Sequence, residues 1–211
     1  MADTRAQTTG RGVSWTNWAG TERSRLARVS SPRDEDEVAE AVVAAAEQGL
    51  RVKAVGAGHS FTGAAVTDGV QVRLSHLAGV TSLDSTRGEA TVRAGTPLRQ
   101  LNQELAQLGF ALPNLGDIDR QSLAGATGTG THGTGLGLQG LSAGVRALRI
   151  VLPDGRIVTC SPSENSDLFQ AARLGLGALG VVTELTVAVV PAFLLHAVEK
   201  PERLEVLLET V

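Results

Sequence analysis

Two stretches hold the residues whose types and spacing suit chemistry. The first is residues 51–61, RVKAVGAGHSF. Val52 and Val55 lie in a short apolar run that predicts a buried strand. The strand runs straight into Gly56, Ala57 and Gly58. Glycines let backbone N–H groups approach a ligand that a Cβ would hold off. Successive N–H groups in such a turn make a nest for an anion, typically a pyrophosphate. His59 stands where the turn opens. The second stretch is residues 125–135, GATGTGTHGTG. Hydroxyls on Thr127, Thr129, Thr131 and Thr134 alternate with glycines there and offer close-range donors to a phosphate or a ring. His132 is a further donor, with a structural role as the alternative. On these residues alone the first turn indicates an anion or a dinucleotide, against a plain tight turn carrying a surface histidine.

Several chemistries are excluded. GAGHSF has Phe61 where a third glycine would complete G-x-G-x-x-G, and it lacks the Gly-Lys-Ser/Thr of a phosphate-binding loop. No nucleophile elbow or Ser-His-Asp order is present. One cysteine, Cys160, rules out an internal disulfide and a multi-cysteine metal site. His76 and His196 have no partner at ligand spacing, so both are read as structural and no metal is expected. The net charge of −3 and the scarcity of aromatics, 3% with no Tyr, exclude nucleic acid as the main partner. The N-terminus has no apolar signal region, and the apolar stretch 174–190 is interrupted by Glu184, Gly and Thr. No membrane association is indicated, and a cytoplasmic location is expected.

The elements that must position the two turns follow in order. Residues 1–14 read as a disordered terminus, and Trp15 and Trp18 as cover for a core edge. Residues 27–30 predict a strand. Asp34 with Glu37 has capping-box-like spacing ahead of a helix whose Val38, Ala41, Val42 and Ala45 share a face, with Gly49 as its stop. Strands are predicted over 52–55, 70–74 and 89–94. Thr96-Pro97 opens a helix bearing Leu98, Leu101, Leu105 and Leu108, ended by Gly109. Residues 145–152 and 156–160 form a hairpin around Pro153-Asp154-Gly155. Residues 165–174 predict a short helix, and 180–190 a strand ended by Pro191. In PERLEVLLETV, Leu204, Leu207, Leu208 and Val211 fall on one helical face.

GAGHSF, LPNLGDIDRQSLAGATGTGTHGTG and GALGVVTELTVAVVP, in this order, resemble the FAD-binding domain of the vanillyl-alcohol oxidase flavoprotein superfamily. The closest branch is the sugar-lactone and alditol oxidases. The resemblance implies an α+β fold: a small N-terminal α/β sheet beside a larger, mostly antiparallel sheet, with FAD between them. It implies a domain over 15–191 and, from 192 to 211, the start of a truncated C-terminal substrate domain. It matches His59 to the histidine bonded covalently to the flavin. It matches Val55, Gly56, Ala57, Gly58, Ser60 and Phe61 to the pyrophosphate loop. Gly116, Asp117, Ser122, Gly125, Thr127, Gly130, His132, Gly133 and Thr134 match the second loop, and Gly180 with Val182 matches the adenine side. The second covalent anchor of some relatives, a cysteine, has no counterpart; Cys160 is elsewhere.

The reaction implied is oxidation of a CH–OH group of a sugar lactone or polyol by hydride transfer to flavin N5. Dioxygen or another acceptor takes the electrons. Another FAD oxidase or dehydrogenase of the same fold, or a flavin-binding fragment without turnover, are the alternatives. No catalytic base is expected in this chain, and little turnover from the chain alone. Gly116 is expected beside the flavin C4a region, where a glycine favours access of oxygen. The alternative for Gly116 is a turn with positive φ.

Overall fold

The computed structural model describes residues 12–209. The chain begins with a hairpin of β1 (Val13–Thr16) and β2 (Arg23–Leu26), which pair antiparallel. Val13 and Ser14, read from sequence as part of a disordered terminus, are therefore in a strand. Residues 1–11 lie outside the described residues. β3 (Arg28–Ser30) leads to α1 (Glu35–Glu47). The helix starts as its sequence dictates: the Asp34 carboxylate accepts from the Glu37 N–H at 2.8 Å, and Glu37 reaches back to the Arg33 N–H. Gly49 takes φ +66° beyond its end. β4 (Val52–Val55) and β5 (Val70–Arg73) follow. The three strands form a parallel sheet in the order β3-β5-β4.

The second sheet contains β6 (Val80–Asp84), β7 (Glu89–Arg93), β9 (Val145–Val151), β10 (Ile157–Cys160) and β11 (Val181–Ala188). Between β7 and β9 come α2 (Leu98–Gln107), β8 (Phe110–Ala111) and α3 (Leu123–Gly128). α4 (Ser166–Ala172) precedes β11; β12 (Val190–Pro191) and α5 (Leu204–Leu208) end the chain. The sheet order is β10-β9-β11-β7-β6, every pair antiparallel. β11 sits centrally and alternates buried with half-buried residues, the period-2 signature of a sheet with one face on a core. The α+β architecture expected from sequence is present, with a small parallel sheet beside a larger antiparallel one.

α1 lies between the two sheets. Its Val38, Val42 and Ala45 join Val70 and Val72 of β5 and Ile150 and Val151 of β9 in one continuous core. Polar links also tie α1 and β4 to the antiparallel half. Arg149 of β9 meets Glu35 at the start of α1 through two N–H groups, the nearer ion-pair contact being 2.5 Å. The buried Thr183 hydroxyl also donates to Glu35. The hydrogen bond that Arg149 donates to Glu35 raises the Arg149 pKa against the opposing effect of desolvation. Lys53 of β4 donates to the Leu176 carbonyl at 3.3 Å. Glu35→Ala removes the acceptor for both Arg149 and Thr183. It should lower unfolding free energy by about 2 kcal/mol, the scale for hydrogen bonds to charged groups. Glu35→Gln should cost less, and urea unfolding at neutral pH measures both.

Several sequence expectations need correction. Residues 123–128 are helical rather than loop. Pro97 caps α2 instead of opening it from within, and Leu108 is half exposed while Leu98, Leu101 and Leu105 are buried. β6 and β8 had no sequence signal. Pro191 belongs to a short strand paired with Phe110. Trp18 does not cover the core: it is 65% exposed. Residues 191–209 are exposed, and Val211 lies outside the described residues.

Candidate functional site: a cleft between the two sheets

The turn after β4, read from sequence as an anion nest or a plain tight turn, leaves its backbone donors open. No N–H from residues 56 to 60 has a hydrogen-bond partner among the described residues, so five donors in succession are available. Gly58 supplies the left-handed step with φ +68°, which other residues adopt at a cost. The carbonyls of this turn are held from behind. The Trp18 N–H donates to Gly58 O at 2.8 Å, and the Asn17 amide donates to Ser60 O at 2.9 Å.

The turn packs directly on the start of α3. A Cβ on Gly56 would collide with Ser122 Oγ and come within 3.2 Å of Ser122 Cβ. Ser122 is the cap of that helix, its Oγ accepting from the Gly125 N–H at 3.3 Å. The next two helix N–H groups are satisfied by the underlying chain: Leu123 N–H by Thr96 O and Ala124 N–H by Ala94 O. The helix N-terminus is therefore already occupied, and the open donors belong to the β4 turn.

These parts line a cleft of about 300 Å³, at the small end of ligand sites of roughly 300–1,000 Å³. One wall is residues 54–60. Another is Ser122, Gly125 and Thr127, with Arg120 and Gln121 before them. Leu148, Ile150, Val182 and Leu185 of the antiparallel sheet supply an apolar surface, and residues 175–180 close one side. Among the lining residues no Asp or Glu occurs, while Arg120 and Arg173 both do. Asp119, outside the lining, pairs with Arg120 at 3.5 Å, so Arg173 is the lining cation without a carboxylate partner among the described residues, a charge suited to an anionic ligand. Arg173 is held over the Phe169 ring, 5.6 Å from its centroid.

Of the residues singled out from sequence, Val55, Gly56, Ala57, Gly58, His59, Ser60, Ser122, Gly125, Thr127, Gly180 and Val182 line this cleft. Phe61, Gly116, Asp117, Gly130, His132, Gly133 and Thr134 do not. Phe61 is 67% exposed and meets Trp18 edge-on. Asp117 and Thr134 are exposed. Gly116 and Gly133 pack the 114–116 loop onto 131–133: a Cβ on Gly116 would sit 3.1 Å from His132 O, and one on Gly133 would strike Leu115 O. Gly116 has no positive φ, so a turn requiring it is ruled out. Close backbone approach is the local reason for glycine. His132 Nδ1 lies 2.8 Å from Gly133 O, and Gly130 takes φ +75°.

The threonine hydroxyls also differ from expectation. Thr127 donates to Leu123 O at 3.0 Å, Thr129 donates to Gly125 O at 2.8 Å, and Thr131 bonds with the Gln121 side chain. Backbone carbonyls one helical turn earlier are the nearest acceptors, and short hydroxyl side chains take them. Sequence reading gave no site role to Arg120 or to residues 177–179, although both lay in the motifs that carried the resemblance, nor to Arg173 and residues 175–176. The signal for the 175–179 segment was present: Gly175, Gly177 and Gly180 make a third glycine-rich run.

A glycine turn with open N–H groups, a helix start packed on it and an apolar wall between two sheets form a cleft suited to a phosphate-bearing ligand. A family model described as the FAD binding domain matches residues 26–161. The chain belongs to this family, and FAD is its cofactor. L-gulono-1,4-lactone dehydrogenase of Mycobacterium tuberculosis (strain ATCC 25618 / H37Rv) is 43% identical over 182 residues, covering 86% of this chain and 42% of the relative. L-gulonolactone oxidase of Mus musculus is 37% identical over 201 residues, 95% of this chain and 46% of the relative. D-arabinono-1,4-lactone oxidase of Eremothecium gossypii is 36% identical over 213 residues, 99% of this chain and 40% of the relative. The chain thus spans less than half the length of these relatives. Among the described residues no helix is long and apolar enough to cross a membrane, and no cluster of metal-ligating side chains stands together.

Proposed function

We propose that the protein is the cofactor-holding part of an FAD-dependent oxidoreductase that oxidises a CH–OH group of a sugar lactone, of the L-gulono- or D-arabinono-1,4-lactone type. The observation that carries this reading is the cleft between the sheets, with five open N–H groups, two arginines and His59 at one end. FAD, when bound, supplies the two-electron acceptor for the donor carbon. The N–H groups of residues 56–60 are assigned to phosphate oxygens, with Arg120 and Arg173 balancing their charge. Ser122 and Gly125 keep the opposite wall close. Ile150, Val182 and Leu185 exclude water from the buried side, which strengthens every polar contact inside. His59 is assigned as the covalent anchor.

The role in that reading of Gly116, Asp117, Gly130, His132, Gly133 and Thr134 is to shape the loop pair beside the cleft rather than to line it. The segment from residue 192, with Leu194 and Leu195 almost fully exposed, is read as the start of a domain that would cover the substrate. No substrate base is assigned within this chain. The lactone assignment rests on the names of the relatives, with alditols as the second class.

The test is anaerobic mixing of the flavin-loaded full-length protein with L-gulono-1,4-lactone, D-arabinono-1,4-lactone and xylitol. Bleaching of the visible flavin band by a lactone is expected. A flavin that no lactone and no polyol bleaches would remove the substrate assignment and leave the cofactor site standing.

A further inference from the structure

The hairpin loop between β1 and β2 has no part in the cleft, yet it is tied to the His59 turn at three places, one before His59 and two after it. The Trp18 N–H donates to Gly58 O at 2.8 Å, the Asn17 Nδ2 to Ser60 O at 2.9 Å, and the Thr21 hydroxyl to Phe61 O at 3.2 Å. The loop is itself pinned. Asn17 is 4% exposed, its Nδ2 also donates to Thr21 Oγ1, and its Oδ1 accepts from the Glu22 N–H. The backbone on both sides of His59 is therefore fixed by a second layer that does not depend on the ligand.

The side chain is fixed as well. The Trp18 indole stacks on the His59 imidazole, with centroids 5.1 Å apart and planes 23° from parallel. The Phe61 ring stands nearly perpendicular to the indole, with centroids 6.4 Å apart. An indole left 65% exposed adds little to the core. Its contact is with the one histidine that lines the cleft.

We propose that Trp18 is a positioning residue for His59: its flat face sets the imidazole plane so that a ring nitrogen is presented to the cofactor. This rests on the reading of His59 as the covalent anchor. In that attachment a His59 ring nitrogen forms a bond to the 8α-methyl carbon of the isoalloxazine. One methyl C–H bond and the imidazole N–H bond are lost. The two protons and two electrons pass to dioxygen, which leaves as hydrogen peroxide. A stacked imidazole samples few other orientations, and misplacement of a reacting group by about 1 Å can cost on the order of a hundredfold in rate.

The experiment uses protein made in riboflavin-starved cells, then supplied with FAD in air. Covalent incorporation is followed by flavin fluorescence on a denaturing gel, and reversible binding by fluorescence quenching. Trp18→Ala and Trp18→Leu should each slow incorporation at least tenfold. Trp18→Phe, which keeps a flat ring, should recover to within about threefold of wild type. Reversible FAD affinity and melting temperature should change little in all three, because the indole is exposed. Incorporation at the wild-type rate in the alanine variant would overturn the proposal. So would a leucine variant as fast as the phenylalanine one, since bulk alone would then suffice. A wild type that binds FAD tightly and never attaches it would remove the anchor reading and this one together, leaving the cleft assignment intact.

Discussion

His59→Ala is expected to release all of the flavin from the denatured polypeptide while leaving FAD bound in the native one. The argument is positional. His59 is the one histidine lining the cleft, within a run of unpaired N–H groups. His132, the other candidate in the glycine-rich stretches, is exposed and lies outside that lining. Acid-denaturing gels should show fluorescence with the wild-type band and none with the variant. A tryptic peptide makes the site explicit. Cleavage after Lys53 and Arg73 yields a fragment of residues 54–73 that contains His59 and no other histidine, cysteine or lysine. That fragment should carry the mass of one FAD. A modified peptide elsewhere, or fluorescence persisting in the variant, would show the anchor to be misassigned.

Gly56→Ala should weaken reversible FAD binding by roughly thirtyfold. The added Cβ meets Ser122 Oγ and lies 3.2 Å from Ser122 Cβ. The turn and the α3 start must then separate. Overpacking of this kind costs about 1–3 kcal/mol, and about 2 kcal/mol corresponds to that change in affinity. A second substitution isolates the cause. Ser122→Gly removes the atoms that the new methyl strikes, and glycine at a helix cap costs only a few tenths of a kcal/mol. The double variant should therefore bind within a few-fold of wild type. If Gly56→Ala binds normally, the two walls do not need their close contact. If the double variant is as weak as the single, the loss arises from the turn itself.

How much of this was legible in sequence varied with the kind of force that builds each part. α1 was readable because its cap, its apolar period and its glycine stop are local signals that agree. The β4 strand and its glycine turn were readable for the same reason, although the glycines alone left open whether the turn serves a ligand or only the chain reversal. α3 was not. Its sequence LAGATG is short and interrupted by Gly125, Thr127 and Gly128, and it is held by Ser122 and by carbonyls of Ala94 and Thr96, which are distant in sequence. β6 is a largely exposed edge strand without clean alternation and left no period to read. The arginines of the lining were hidden too, because Arg120 and Arg173 are 53 residues apart in the chain and share a cleft only in the fold. Motif order placed both glycine loops at the site. Which half of the second loop faces the ligand is decided by where its hydroxyls find acceptors.

The central claim is that FAD lies between the two sheets with its phosphates on the N–H groups of residues 56–60. Amide hydrogen exchange with and without FAD tests it most directly, because those amides have no partner among the described residues and exchange freely until a ligand accepts from them. The account predicts the largest gain in protection at residues 56–60. Smaller gains are expected at 120–129 and 173–180, and little change on β6 or α5. FAD binding that protects the 114–117 and 130–134 loops while leaving 56–60 as fast as in the free protein would contradict it.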